Sequence, residues 1–174
     1  RMLLDRSRID VPSSHIAAGG AVLDSYCAPG VDVAGTVEMV GKDVTDVSPG
    51  DEVFGEASSG SCAEYATVAA GKLAPKPAGL KFDEAAAIPV SGATALRGIR
   101  DAGRTQQGQR VLVNGVRGRV GVYAVQIAKA LGAEVTAVCS AANADLAQSL
   151  GADYVIDYKT EDFTKGDRRY DLIL

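Results

Sequence analysis

Val111-Leu112-Val113-Asn114-Gly115-Val116-Arg117-Gly118-Arg119-Val120-Gly121, continued by Ala124-Val125-Gln126-Ile127-Ala128-Lys129-Ala130-Leu131-Gly132, is the stretch that decides the fold. A short apolar run of buried-strand type enters a glycine turn and leaves as a helix. Gly118 lets a backbone approach a pyrophosphate, and Gly121 lets a helix pack close to its strand. Free N–H groups and the positive end of the helix dipole then face the phosphates. Glycine spacing alone is weak evidence. A preceding strand, a following helix and a second strand at 134–139 strengthen it. The competing explanation is a strand-to-helix turn that needs glycine only for its geometry.

Toward the C-terminus the pattern repeats. Strands are predicted at Val111–Asn114, Glu134–Cys139, Tyr154–Ile156 and Asp171–Leu174. Helices are predicted at about Val120–Leu131, Ala144–Leu150 and, as a short piece, Glu161–Phe163. Such alternation argues a parallel sheet covered by helices.

Toward the N-terminus the texture is different. Asp83-Glu84 opens a helix-like run, with Asp83 as its candidate cap; Pro89 interrupts it and Gly92 resumes it through about Ala102. Before that, Val31, Val33, Gly35, Val37 and Met39 alternate with polar residues, as in a half-buried strand. Ser48-Pro49-Gly50-Asp51 is a turn, and Glu52–Gly55 and Ala63–Val68 read as further strands. Several short strands with such turns suggest a small barrel or sandwich. Residues 1–27 carry little regular pattern, broken by Pro12-Ser13-Ser14 and Gly19-Gly20.

Composition narrows the function. With 47% hydrophobic and 23% charged residues the chain has ordinary globular composition. A net charge of -4 argues against a nucleic-acid surface. No apolar run approaches the roughly 18–20 residues that cross a bilayer, and the start lacks a signal-peptide core, so the expected location is cytoplasmic. Cys27, Cys62 and Cys139 lie far apart, and His15 is the sole histidine. That pattern predicts neither a disulfide framework nor a structural zinc site. With no G-x-S-x-G elbow, hydrolase chemistry is set aside.

The second strand sharpens the cofactor question. An acid near its end usually holds the ribose 2′-hydroxyl of NAD, but here the residues are Cys139-Ser140-Ala141-Ala142. Absence of a carboxylate favours a 2′-phosphate, hence NADPH. No Arg or Lys stands at 140–143 either, so the inference is one-sided.

At this point the residues resemble a family. Val31-Asp32-Val33-Ala34-Gly35-Thr36-Val37, Pro49-Gly50-Asp51-Glu52-Val53-Phe54-Gly55 and Ala63-Glu64-Tyr65 resemble the catalytic, GroES-like half of medium-chain dehydrogenase/reductases. Ala85-Ala86-Ala87-Ile88-Pro89 with Thr94-Ala95, and the turn at 115–121, resemble the linking helix and cofactor half. Val138-Cys139-Ser140, Leu150-Gly151-Ala152-Asp153 and Val155-Ile156-Asp157-Tyr158 are similar to the zinc-independent quinone oxidoreductase branch.

The resemblance implies an α/β fold: a partial GroES-like β-barrel half (28–92) followed by a partial Rossmann, doubly wound parallel sheet (93–174), with 1–27 unmatched. It implies NADPH-dependent hydride transfer to a small-molecule quinone or α,β-unsaturated carbonyl, with no metal and no nucleic-acid or membrane partner. It leaves a homo-oligomer open and names no catalytic side chain. Backbone groups of Arg117, Gly118, Arg119 and Val120 match the pyrophosphate turn. Ser140 and Tyr158 match the adenosine 2′-phosphate end, and Thr94 matches a position near the nicotinamide.

Four departures bear on activity. Val116, Arg117 and Arg119 replace the Ala, Ser and Gly of the family turn. A β-carbon at 119 crowds the phosphate if φ is positive there; alternatively, the two guanidiniums grip phosphate oxygens. Ala142 stands where many relatives carry Arg or Lys. Residues 1–27 do not resemble the family's opening strands. Four strands are counted where such a sheet has about six. The expectation is thus an incomplete member of the branch, reduced in activity, with a non-catalytic nucleotide-binding or interaction module as the alternative.

Overall fold

A computed structural model describes residues 2–4, 29–58 and 60–174. It divides into two compact units, Arg1–Val90 and Ser91–Leu174. Expectations for Pro12–Ser14, His15, Gly19-Gly20 and Cys27 lie outside the described residues.

The first unit is built on β1 (Met2–Leu4), β2 (Asp32–Val40), β3 (Glu52–Glu56), β4 (Ala66–Val68) and β5 (Leu73–Pro75), in the sheet order β4-β1-β2-β3-β5. Alternation along β2 turns Val33, Gly35 and Val37 inward. Val33 and Val37 pack with Val53, Ala57, Ala66 and Val68, while Val31 and Met39 at the ends of the pattern stay exposed. β2 and β3 run antiparallel, with Asp32 opposite Glu56 and Thr36 opposite Glu52. Their connection closes at Ser48–Asp51, where Asp51 N–H donates to Ser48 C=O (3.1 Å) and Ser48 N–H to the Asp51 carboxylate (2.8 Å).

Two local expectations are corrected here. Only Ala66–Val68 of the expected strand 63–68 is extended, paired in parallel with Met2–Leu4 of β1. Helix α1 (Phe82–Ala86) is capped from Lys81, not Asp83. Glu84 reaches back to accept the Lys81 N–H at 2.8 Å, and Asp83 accepts the Glu84 N–H at 3.0 Å from inside the first turn. Pro89 opens α2 (Pro89–Leu96), as suits a residue with preset φ and no N–H to lose. A wider, π-type coil follows over Arg97–Ala102.

The second unit is the parallel α/β part. β6 (Arg110–Asn114), β7 (Glu134–Cys139), β8 (Tyr154–Asp157) and β9 (Leu172–Ile173) form an all-parallel sheet in the order β8-β7-β6-β9. In units of the sheet's own strands this order is 3-2-1-4, the first part of the doubly wound order. Both faces of β6 are buried, which explains its unbroken apolar run. Val111 and Val113 join one cluster with Ala124, Val125 and Ala128 of α3 (Arg119–Ala130) and Ala147 of α4 (Ala144–Ser149). Leu112 joins Val138 and Ile156 on the other face, against Phe163 and Tyr170.

Helix α3 buries Gly121, Ala124, Val125 and Ala128, the i, i+3, i+4, i+7 stripe of a helix laid on a core. It ends at Gly132, whose φ of 80° lets Ala133 N–H reach Ala128 C=O (3.0 Å) and Gly132 N–H reach Lys129 C=O (2.9 Å).

The expected helix at Glu161–Phe163 does not form. Asp157 Oδ1 accepts the Lys159 N–H (3.0 Å), and Asp162 Oδ1 accepts both the N–H (3.0 Å) and the hydroxyl (2.6 Å) of Thr164. These carboxylates take the amides a helix would need, and so short a segment cannot offset the cost of helix nucleation.

Candidate functional site

In an open parallel sheet the ligand crevice lies beyond the carboxyl ends of the strands, where strand order reverses. Here that reversal falls between β6 and β9. The glycine turn leaves the carboxyl end of β6 at this point. It is tied on both sides: Asn114 N–H donates to Leu174 C=O (2.8 Å), and Gly115 N–H donates to Val138 C=O (3.0 Å).

Gly115 is the pivot, with φ of 84°. Gly121 lies so close to it that an added β-carbon would collide with Gly115 O and stand 2.9 Å from Val116 Cα. Gly118 caps α3 with extended backbone (φ −64°, ψ 150°) and donates its own N–H to Gly115 C=O at 2.8 Å. The first bond inside α3 runs from Val122 N–H to Gly118 C=O, 3.1 Å. The amides of Arg119, Val120 and Gly121 therefore face the turn without intrahelical partners. These open amides at the positive end of α3 fit a nucleotide phosphate.

The crowding expected from a β-carbon at 119 depended on a positive φ. Among the described non-glycine residues only Arg104 has one, and Arg119 is the first residue of a right-handed helix. The Arg at 119 is therefore accommodated without backbone strain.

Ser140 follows the end of β7 and Tyr158 follows the end of β8. Cys139 and Asp157 are register partners, and Tyr158 N–H donates to Cys139 C=O (3.2 Å). The sheet thus brings Arg117, Gly118, Arg119, Val120, Ser140 and Tyr158 to one rim. Ser140 Oγ accepts from Asn143 Nδ2 at 2.8 Å, and Tyr158 is 59% exposed. Ala142 is exposed on the same rim. Thr94 is exposed on α2, which precedes β6 and is not part of the strand rim. Cys139 is buried; burial first, and then the Asp157 carboxylate, pushes its thiol up from the usual range. It stays protonated and is unsuited to act as a nucleophile.

Gly115 is the rim residue that the glycine spacing did not single out. Its signal was the Asn114-Gly115 pair, a turn dipeptide at the end of a strand. Among the described residues no group of three or more His, Cys, Asp or Glu is placed to hold a metal. No helix among them is long and apolar enough to cross a membrane.

Comparison with known proteins adds the following. Residues 7–78 match the alcohol dehydrogenase GroES-like domain, and residues 120–169 match the zinc-binding dehydrogenase family. The chain is 39% identical over 155 residues to a mitochondrial NAD(P)H oxidoreductase of Bos taurus, covering 83% of this chain and 39% of that protein. It is 42% identical over 142 residues to a chloroplast envelope quinone oxidoreductase homolog of Arabidopsis thaliana, covering 77% of this chain and 43% of that one. Among solved structures, the quinone oxidoreductase of Coxiella burnetii superposes with a TM-score of 0.78 at 34% identity, covering 84% of this chain and 47% of that one. The Escherichia coli quinone oxidoreductase complexed with NADPH gives 0.72 at 33% identity, covering 77% and 42%. The chain spans about two fifths of the length of the curated relatives it matches.

Proposed function

The chain belongs to the medium-chain dehydrogenase/reductase superfamily as a quinone oxidoreductase-like member, and on that premise we propose that it is an NADPH-dependent oxidoreductase acting on a quinone or an α,β-unsaturated carbonyl. The observation that carries this reading is the turn at the sheet's reversal point, where Gly121 brings the start of α3 against the Gly115 main chain too closely for a side chain at 121 and leaves the first amides of the helix open. The same reading assigns residues 28–92 to the GroES-like catalytic part and 93–174 to the cofactor part.

In this reading the amides at Arg119 and Val120, set by the cap residue Gly118 and with the positive end of α3 behind them, hold the pyrophosphate, together with the backbone of Arg117. Ser140 Oγ and the Tyr158 hydroxyl hold the adenosine end, and the Thr94 hydroxyl orients the nicotinamide end. NADPH, when bound, supplies the hydride. The protein contributes orientation and exclusion of water. Neither a nucleophile nor a metal is needed for that role, because solvent can protonate the product oxygen.

The test is NADPH oxidation followed by absorbance, with 1,2-naphthoquinone and with a simple enone as acceptors, on a sample shown to be folded. Acceptor-dependent oxidation supports the proposal. Calorimetric binding of NADPH without turnover reduces the chain to a nucleotide-binding module, and no binding refutes the cofactor reading altogether.

A further inference from the structure

The glycine turn carries two cations at positions where the family turn has none. Arg117 and Arg119 flank the cap residue Gly118, and both are exposed. Among the described residues neither guanidinium meets a carboxylate. Arg100, Arg110 and Arg168, by contrast, are paired with Asp101, Glu134 and Glu134. The rim after β7 is the opposite case. Ser140, Ala141, Ala142 and Asn143 carry no charge of either sign, and the Ser140 hydroxyl is engaged with Asn143.

We propose that this site binds its dinucleotide chiefly through the pyrophosphate, with Arg117 and Arg119 adding charge-assisted bonds to the amides of the turn, and that it therefore discriminates only weakly between NADPH and NADH. The inference rests on the dinucleotide reading above and deepens it.

A pyrophosphate is common to both cofactors, so cations placed at the turn strengthen both equally. Discrimination needs a cation that meets the 2′-phosphate or a carboxylate that meets the 2′-hydroxyl. The β7 rim offers neither, leaving neutral donors that serve a phosphate or a hydroxyl. Arginine suits the turn because its planar fork bonds phosphate oxygens two at a time. Both side chains sit on solvent-exposed backbone of ordinary conformation, so removing them leaves the turn intact.

The experiment is isothermal titration calorimetry of the full chain with NADPH and with NADH, at two salt concentrations. The samples are the parent, the double variant Arg117→Ala/Arg119→Ala, the charge-keeping Arg117→Lys/Arg119→Lys, and Ala142→Arg. The parent is expected to show Kd values for the two cofactors within about tenfold of each other, since neutral hydrogen bonds contribute little net discrimination. The Ala double variant is expected to weaken both cofactors by the same factor, on the order of tenfold, with a flatter salt dependence. The Lys variant should recover most of the affinity, and Ala142→Arg should tighten NADPH alone.

Unchanged binding in the Ala double variant, with thermal unfolding as in the parent, overturns the proposal while the dinucleotide reading stands. Loss of NADPH affinity alone also overturns it, since the arginines would then read the 2′-phosphate. A folded parent that binds neither cofactor overturns both.

Discussion

Gly121→Ala measures how close α3 comes to the turn. The new β-carbon would collide with Gly115 O and lie 2.9 Å from Val116 Cα. Both obstacles are main chain, so no flexible side chain can yield. The turn is also pinned at Gly115 by its bond to Val138 C=O. Overpacking typically costs about 1–3 kcal/mol, and a main-chain collision of this kind belongs at the upper end, about 3 kcal/mol. In a unit the size of Ser91–Leu174, that loss lowers the melting temperature by roughly 10–20 °C.

Two neighbours act as controls. Gly115→Ala meets nothing within 4 Å but must hold an L-residue at φ of 84°, which costs about 1–2 kcal/mol. Gly118→Ala sits at φ −64° with its β-carbon 3.1 Å from Gly115 O, so it should change stability by less than about 0.5 kcal/mol, the small gain from a stiffer unfolded chain offsetting the tight contact. Differential scanning calorimetry of the three full-length variants gives the order 121, then 115, then 118. A Gly121→Ala protein that melts with the parent would refute the claimed approach of helix and turn.

Three further outcomes follow from the same structure. The Lys76 side chain is 5% exposed, with Nζ 3.1 Å from the Glu52 carboxylate and 2.6 Å from Leu80 C=O; Lys76→Met should cost about 1–3 kcal/mol by urea denaturation because it leaves the part-buried Leu80 carbonyl without its donor, and an unchanged midpoint would remove that role. Asp32 accepts the Val90 N–H at the start of α2 at 2.7 Å; Asp32→Ala should cost about 1 kcal/mol, and Asp32→Asn, which keeps an acceptor, should recover most of it in the same melts. Burial pushes the Asp153 carboxyl up, but the Lys129 hydrogen bond and charge and the Val135 N–H outweigh it, and the group titrates below its ordinary value. Its stabilisation is therefore complete above the unfolded-state pKa, about 4, and is lost as pH falls through the lower folded-state value. Asp153→Asn should flatten the fall in stability on acidification, and an unaltered pH profile would count against the ion pair.

The parallel half was readable because its signals are local. An apolar run buried on both faces, a helix with a 3.6-residue stripe and a glycine just past its last turn each state their own structure. Predicted α3 differs from the observed helix by one residue at each end. What was not readable depends on partners distant in sequence. The strand at Met2–Leu4 is defined by pairing with β2 and β4, and its three residues are too few to show a period. Likewise Ala63–Tyr65 has strand composition but lies outside β4, which begins at Ala66. The 161–163 segment failed as a helix because Asp157 and Asp162 turn their side chains back on the chain. At the rim, the glycine pattern pointed to the turn, and the family resemblance pointed to Ser140 and Tyr158. The backbone angle at Arg119, which decides whether its β-carbon is tolerated, becomes visible only in three dimensions.

The central claim is that the turn at Gly115–Val120 receives a dinucleotide at the carboxyl ends of β6, β7 and β8. The most direct measurement is a titration of the isotope-labelled chain with NADPH, followed by amide nuclear magnetic resonance. The account predicts that the amides of Gly118, Arg119, Val120, Ser140 and Tyr158 shift together along one binding curve. Shifts confined to other surfaces, or no shifts in a folded sample at saturating cofactor, would contradict it.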